Sequence, residues 1–379
     1  MSASLATEAE NPPFVFTEEH KTMRESVRRL MHDWSSDQDV RRTMETDIGY
    51  DRVLWSKIAE VGLLGLLVPK RFGGEECSLL ELVIVLEEMG RALLCGPYFA
   101  TVALATNALL VSEDEDAQRR FLPAIATGEM IATVALPARS SRGDDLDVSA
   151  TLSPDGYRLT GTARFVPDGH AADLILVSAQ TEAGPSLFAV DGSSLGLTRR
   201  PLATLDLTRK QADLTFVGVP GWRVGREGEA DRLVEAALDQ ARIALAAEQL
   251  GGMQIALDSA VAYAKVRLQF GRPIGSFQAI KHKCADMLLI VESARSAVYH
   301  AAWTAARGSP EVCIAACVAQ ICCSDGFLHV ARESIHIHGG IGFTWDHPAH
   351  LYFRRAHASA ALLGSAVCHR ELLAKRLGV

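Results

Sequence analysis

RLQFGRPIGSFQAIKHKCADM, residues 267–287, carries more than a chain reversal requires. Gly271 and Pro273 suffice for a bend, yet Arg267, Phe270, Phe277 and Gln278 crowd the same stretch. On its N-terminal side, ADRLVEAALDQARIALAAEQLGGMQIALDSAVAYAKVRLQF predicts one helical rod of about forty residues. On its C-terminal side, helical segments are expected over 276–307 and 310–338, and a final helix over 348–377 after the glycine-rich HGGIGF. Helices this rich in alanine and leucine cannot bury their apolar faces within one subunit, so the C-terminal block predicts an oligomer.

Outward from this block the pattern changes twice. YRLTGTARFVPDG, ADLILVSAQ, SLFAVDG and QADLTFVGVP are short β-branched runs punctuated by Gly, Pro and Asp, which predicts an antiparallel β module over 130–222. Residues 14–129 read as helices, with Thr17 as N-cap before EEHKTMRESVRRLM. The expected layout is a tail over 1–13, a helical domain over 14–129, the β domain over 130–222 and a helical domain over 223–379.

Composition narrows the function. The chain has 379 residues, 48% apolar and 22% charged, with a net charge of −8. Without a lysine-arginine block, neither nucleic acid nor an anionic membrane is an expected partner. No stretch approaches the roughly eighteen uninterrupted apolar residues of a membrane span. MSASLATEAENPP lacks arginine and an apolar run, so it reads as neither signal nor transit peptide. The eight cysteines show no CxxC spacing, and Cys313, Cys317, Cys322 and Cys323 fall in an alanine-rich helix, which predicts small buried thiols in a reducing cytoplasm.

At the bend, an arginine, glycine-exposed amides and a helix start near Ser276 together suit a pyrophosphate. The plain alternative is a capped turn with both phenylalanines in the core. A second glycine cluster, HIHGGIGFTWDHPAHLYFRRAH at 336–357, also joins two helices, and Gly339, Gly340 and Gly342 permit close backbone approach. His336 and His338 point apart at i,i+2, so no metal is expected there.

The two stretches together, RxxFGxxIxxFQxxxHKxADM and HxxGGxGFTxxxPxxLYxRRA, resemble the acyl-CoA dehydrogenase family. GLLGLLVPKRFGG, GTARFVPDGHAADLILV and DLTFVGVP extend the resemblance over nearly the whole chain. It implies an α+β fold: an N-terminal helical domain, a middle β-barrel-like domain and a C-terminal four-helix bundle, assembled as a homotetramer or a heterotetramer with a related subunit. It implies FAD clamped between subunits, with Arg267, Phe270, Ile274 and Gln278 meeting a neighbour's cofactor, and His336, Gly339 and Gly340 beside them. Val134, Phe165, Pro167 and Ser365 are the further cofactor contacts it implies. Two family segments are altered: Ala135-Leu136-Pro137 and Phe165-Val166-Pro167 stand where threonine-glutamate-proline and tryptophan-isoleucine-threonine are usual.

The family reaction removes an α-proton from an acyl-CoA and passes hydride to flavin N5, which requires a carboxylate base. The two usual positions hold Leu363 and Ala241. Glu248 lies seven residues beyond Ala241 on nearly the same helical face, in a collar of small residues before Gly251-Gly252. It is the expected base, its pKa raised by desolvation, with Arg242 to position it; Asp231, Glu235 and Asp239 form the expected solvated stripe. The expected activity is FAD-dependent α,β-dehydrogenation of an acyl-CoA to a 2-enoyl-CoA, with electrons passing to an electron-transfer flavoprotein. The altered residues also fit a half-catalytic subunit of an α2β2 enzyme; a flavin oxidase or monooxygenase on the same fold is the third reading. Two leucines, Gly364 and Ser365 beside the acyl site imply room for a branched or steroid thioester.

Overall fold

The computed structural model describes residues 15–136 and 148–379. The expected tail and Pro137 lie outside the described residues. Six α-helices come first: α1 (Glu18–Trp34), α2 (Asp37–Met44), α3 (Arg52–Glu60), α4 (Leu79–Arg91), α5 (Asn107–Val111) and α6 (Glu115–Ala126). Thr17 does cap α1, its hydroxyl accepting from the His20 N–H at 3.2 Å. The apolar segment Phe99–Thr106 is wound as a π-helix and runs into α5.

Seven strands follow: β1 (Ala132–Ala135), β2 (Val148–Ser153), β3 (Gly156–Pro167), β4 (Leu174–Thr181), β5 (Gly184–Asp191), β6 (Leu197–Pro201) and β7 (Gln211–Val224). They form one sheet in the order β1-β4-β2-β3-β7-β5, which closes on itself because β5 also pairs with β4. The expectation of an antiparallel module needs one correction, since β1 and β2 both run parallel to β4. The other pairings are antiparallel, and β3 slips register on β7 between Ala163 and Val166. That slip contains Phe165 at φ 54°, a left-handed conformation that is strained for a bulky residue, while Asp168 just beyond β3 is also left-handed at 51°, which aspartate tolerates better.

The helices then return: α7 (Ala230–Val266), a two-rung hairpin of β8 (Leu268–Gln269) and β9 (Arg272–Pro273), α8 (Gln278–Ala306) and α9 (Val312–His338). The expected final helix is two: α10 (Ala349–Leu362) and α11 (Ala366–Leu377). Gly364, at φ 106°, breaks them, and the Ser365 hydroxyl restarts the chain by accepting the Cys368 N–H at 3.3 Å. The segment Val312–Phe343 has the length and hydropathy of a membrane span, yet half of its most apolar window is buried inside the protein. Cys317 and Cys323 are buried on it, Cys313 and Cys322 half-buried, and all four are free thiols.

The core is centred on α7, which α4 crosses at very close range. A Cβ built on Gly251 would lie 1.8 Å from the Glu87 carbonyl oxygen, and one on Gly90 would lie 2.0 Å from that of Glu248. Gly252 faces the Phe327 ring in the same way, at 2.4 Å. These glycines therefore serve helix packing, and the expected collar for a flavin or acyl chain is filled by protein. An alanine would normally favour a helix by about 1 kcal/mol over glycine, but here the obstacle is backbone that cannot rotate aside. Gly251→Ala is expected to destabilise the protein by about 2 kcal/mol or more, lowering the melting temperature by several degrees. Gly340→Ala, whose Cβ meets nothing within 4 Å, is the control in the same thermal scan and leaves the melting temperature nearly unchanged.

Candidate active site

A cavity of about 780 Å³ opens between the sheet and the helices. Its floor is Phe165, Val166 and Pro167 at the end of β3; its far wall is Leu362, Leu363 and Gly364 at the α10–α11 break. Helix α7 offers Leu238 and Arg242, and the chain ahead of β7 offers Leu202 to Asp206 and Arg209. Ala241 is fully buried and turned into the core, so α7 shows the cavity an i,i+4 stripe that omits it.

Glu248 does not line the cavity. It lies six residues beyond Arg242, about 120° round the helix from that stripe, and is 6% exposed. One carboxylate oxygen accepts from Arg355 Nη1 at 2.7 Å and the other from Arg209 Nη2. Burial alone would raise its pKa, but the charges of Arg209 and Arg355 and their hydrogen bonds outweigh burial and hold it below the usual carboxylate range. The expected raised pKa is thus reversed, because a pair of guanidiniums replaces the expected apolar setting. Arg242 does not touch Glu248 either. Its Nη1 donates to Asp239 at 2.6 Å and to Glu235 at 3.0 Å, and Arg376 braces both acids from α11. Asp239 is accordingly buried in an ion-pair network, where a solvated stripe was expected.

The network around Glu248 continues to Asp206, the cavity's one carboxylate among the described residues. Asp206 Oδ2 accepts from Arg355 Nε at 2.7 Å, and Oδ1 from the Thr208 N–H at 2.9 Å and hydroxyl at 2.5 Å. Arg355 also donates to the Thr208 hydroxyl and the Leu94 carbonyl. Three elements distant in sequence thus share one buried charge cluster. Sequence reasoning passed over Asp168, Asp206 and Arg209; LDLTRK, a polar run ahead of an apolar strand, was the available signal, while Arg355 stood unremarked inside LYFRRA.

The remaining expected contacts are divided among several places. Val134 is buried within β1 and pairs with Leu176, so Leu136 takes the cavity position beside it. Ser365 caps α11, and its neighbour Gly364 lines the cavity. At the 267–278 bend, Arg267 and Gln278 are exposed, Ile274 is half-buried and Phe270 is 85% exposed at φ 52°. A plain turn with buried phenylalanines is therefore excluded. Tyr263 stacks on His338 at 4.6 Å, which places the bend and the Gly339-Gly340 loop at one end of the bundle. His336 is exposed and its Nδ1 lies 3.5 Å from Glu333.

These features fit FAD in two parts. Phe165 to Pro167 offer a strained, partly apolar edge to a flat ring, without side-chain hydroxyls. The bend offers Arg267, an outward aromatic and open backbone at Gly339 and Gly340 to a cofactor held by a neighbour.

Asp168, at the foot of the floor, provides a pH probe. Burial pushes its carboxyl up to about 7, against Arg209 and Arg355 and helped by Glu248. An unfolded aspartate titrates near 3.9, roughly. From about pH 4 to 7 the folded chain therefore keeps a proton that the unfolded chain has lost, and stability falls as pH rises through that window. Asp168→Asn, which tolerates the left-handed backbone, is expected to gain stability over the parent between pH 5 and 8. The gain is on the order of a few kcal/mol at most, read from paired thermal melts across pH.

The family models for the acyl-CoA dehydrogenase N-terminal and C-terminal domains match residues 17–129 and 232–378. Acyl-CoA dehydrogenase IpdE2 of Mycolicibacterium smegmatis is 35% identical over 92% of this chain and 95% of its own length. Among solved structures, a variant of the Tcur3481-Tcur3483 steroid ACAD is 33% identical with a TM-score of 0.86, covering 95% of this chain and 98% of that one. The ChsE4-ChsE5 complex from Mycobacterium tuberculosis is 30% identical with a TM-score of 0.88, covering 97% and 99%.

Proposed function

We propose a role for this chain from one premise: it belongs to the acyl-CoA dehydrogenase family. It is one subunit of a heteromeric FAD-dependent acyl-CoA dehydrogenase, and a related subunit carries the base that removes the α-proton. The observation that supports this reading is the lack of a free proton-accepting carboxylate among the described residues that line the cavity. Leu363 and the buried Ala241 stand at the two usual positions, Asp206 has both oxygens occupied, and Glu248 is held ionised behind Arg209. A carboxylate locked between two guanidiniums is a weak base, because protonation breaks both ion pairs.

FAD, when bound, supplies the hydride acceptor. This chain's residues do the holding: the Arg267 charge and the backbone of Gly339 and Gly340 suit a neighbour's dinucleotide, and Phe270 covers its edge. Phe165 to Pro167 form the matching floor on the chain's own side. The apolar walls, among them Leu136, Leu202, Leu238 and Leu372, suit a bulky acyl group of a CoA thioester. The similar steroid ACAD and the ChsE4-ChsE5 complex support both the bulk and the heteromeric assembly. An electron-transfer flavoprotein is the proposed acceptor, and the 14–129, 130–222 and 223–379 divisions the proposed domains.

The chain expressed alone is expected to be colourless or insoluble, and the chain co-expressed with a related base-bearing subunit yellow and bleached by acyl-CoA. Glu248→Gln in that complex should leave at least a tenth of the bleaching rate, roughly, since a lost positioning contact costs less than a lost base. Full bleaching by the lone chain, abolished by Glu248→Gln with FAD still bound, would instead make Glu248 the base of a homomeric enzyme.

A further inference from the structure

We propose that Asp213 is a positioning residue: its carboxylate holds the Phe165 N–H, and with it the cavity floor, in the form that meets a flat cofactor ring. The inference rests on the reading of Phe165 to Pro167 as the floor for FAD, and adds the residue that sets that floor.

The ladder between β3 and β7 places Asp213 at the slip. Ala163 pairs with Leu214 and Val166 with Ala212, so two residues, Arg164 and Phe165, stand opposite Asp213 alone, which is the count of a β-bulge. Asp213 Oδ1 accepts from the Phe165 N–H at 3.3 Å. Its Oδ2 accepts at 2.6 Å from Nη2 of Arg200, which faces it across the ladder on β6. A carboxylate is a stronger acceptor than a ladder carbonyl, and here it meets the N–H of the bulge residue that is left-handed, at φ 54°. Burial pushes the Asp213 carboxyl up, but its hydrogen bonds with Arg200 and Phe165 and the charges of Arg200 and Arg164 hold it below the usual carboxylate range. The acceptor is therefore ionised in neutral solution.

The far end of the floor is anchored too. The Thr133 hydroxyl, buried on β1, donates to the Pro167 carbonyl at 2.6 Å, and Val166 between the two anchors is 1% exposed. The floor is thus pinned from β7 at its first residue and from β1 at its last. Its own chain gains little from holding the Phe165 ring there, since that ring lines the cavity and is 63% exposed. A bulky exposed residue kept in a left-handed conformation is unfavourable for the chain alone, so what Phe165 meets lies outside the chain. Arg164, the other residue of the bulge, lines the same cavity, and a shift of the bulge moves both.

The test is the FAD affinity and the visible spectrum of bound FAD in the complex co-expressed with a base-bearing subunit, stripped of flavin and retitrated. Asp213→Ala is expected to weaken FAD binding about tenfold and to shift the long-wavelength band of the bound flavin. Asp213→Asn keeps an acceptor for the Phe165 N–H, and Arg200→Ala removes only a 72% exposed partner; both should stay within about threefold of the parent. Glycine adopts a positive φ without strain. In a Phe165→Gly background, Asp213→Ala should therefore weaken FAD binding by less than about twofold, a comparison that stands even where Asp213→Ala alone does not fold. Parent affinity and spectrum in Asp213→Ala, an Arg200→Ala loss as large as the Asp213→Ala loss, or a tenfold loss in the Phe165→Gly background overturns the inference. In each of these cases the complex still takes up FAD, so the heteromer reading stands; a complex that takes up no FAD overturns both.

Discussion

The Glu248 carboxylate, shared between Arg209 and Arg355, joins the helical bundle to the sheet. Glu248 comes from the middle of α7, Arg355 from α10, and Arg209 from the chain leading into β7. Removing one member of such a buried pair costs about 3–5 kcal/mol, because it strands a charge that water cannot reach. Both oxygens of Glu248 and both oxygens of Asp206 are occupied, so the cluster tolerates little displacement. It fixes the wall of the cavity on the side where Arg209 and Asp206 appear, and therefore fixes the relation of the β3 floor to the α10–α11 break.

Two other features depend on that rigidity. The close crossing of α4 over α7 leaves no space for side chains at Gly90 and Gly251, so the length of α7 that carries Glu248 cannot shift against α4. Positive φ at Phe165, inside the register slip on β7, is strain of about 1–3 kcal/mol. Phe270 is also left-handed, as is Gly271 after it, which is what the two-residue turn between β8 and β9 requires, and its 85% exposed ring meets Phe277 edge-on at 6.1 Å. Left-handed backbone thus occurs both at the cavity floor and at the outward bend.

Charge shapes what the cavity can do. Arg164, Arg209 and Arg242 line it, and its single carboxylate among the described residues is already spent. Such a lining suits recognition of oxygen acceptors and does not suit proton abstraction. On the proposed reading, such a subunit contributes to dehydrogenation through what it binds, and a related subunit carries the base.

Periodicity and turn chemistry made much of the architecture legible. The rod at α7, the paired helices α8 and α9, the cap at Thr17 and the β-rich middle follow from the spacing of apolar residues, which is local information. The outward bend was legible too, since an arginine and two phenylalanines exceed the needs of a turn. The break at Gly364 was missed because helix propensity on both sides hid a single positive-φ glycine. The parallel pairings of β4 were missed because strand direction is set by contacts between distant segments. Glu248 shows the limit most sharply. Its helical face was read correctly from its spacing to Ala241, but that face turned out to point into protein. The two arginines that decide its protonation lie 39 and 107 residues away, and only the folded chain brings them to it. The sequence by itself determined which segments are helix or strand and which residues are available; the tertiary structure decided their charge states, because electrostatic coupling follows distance in space.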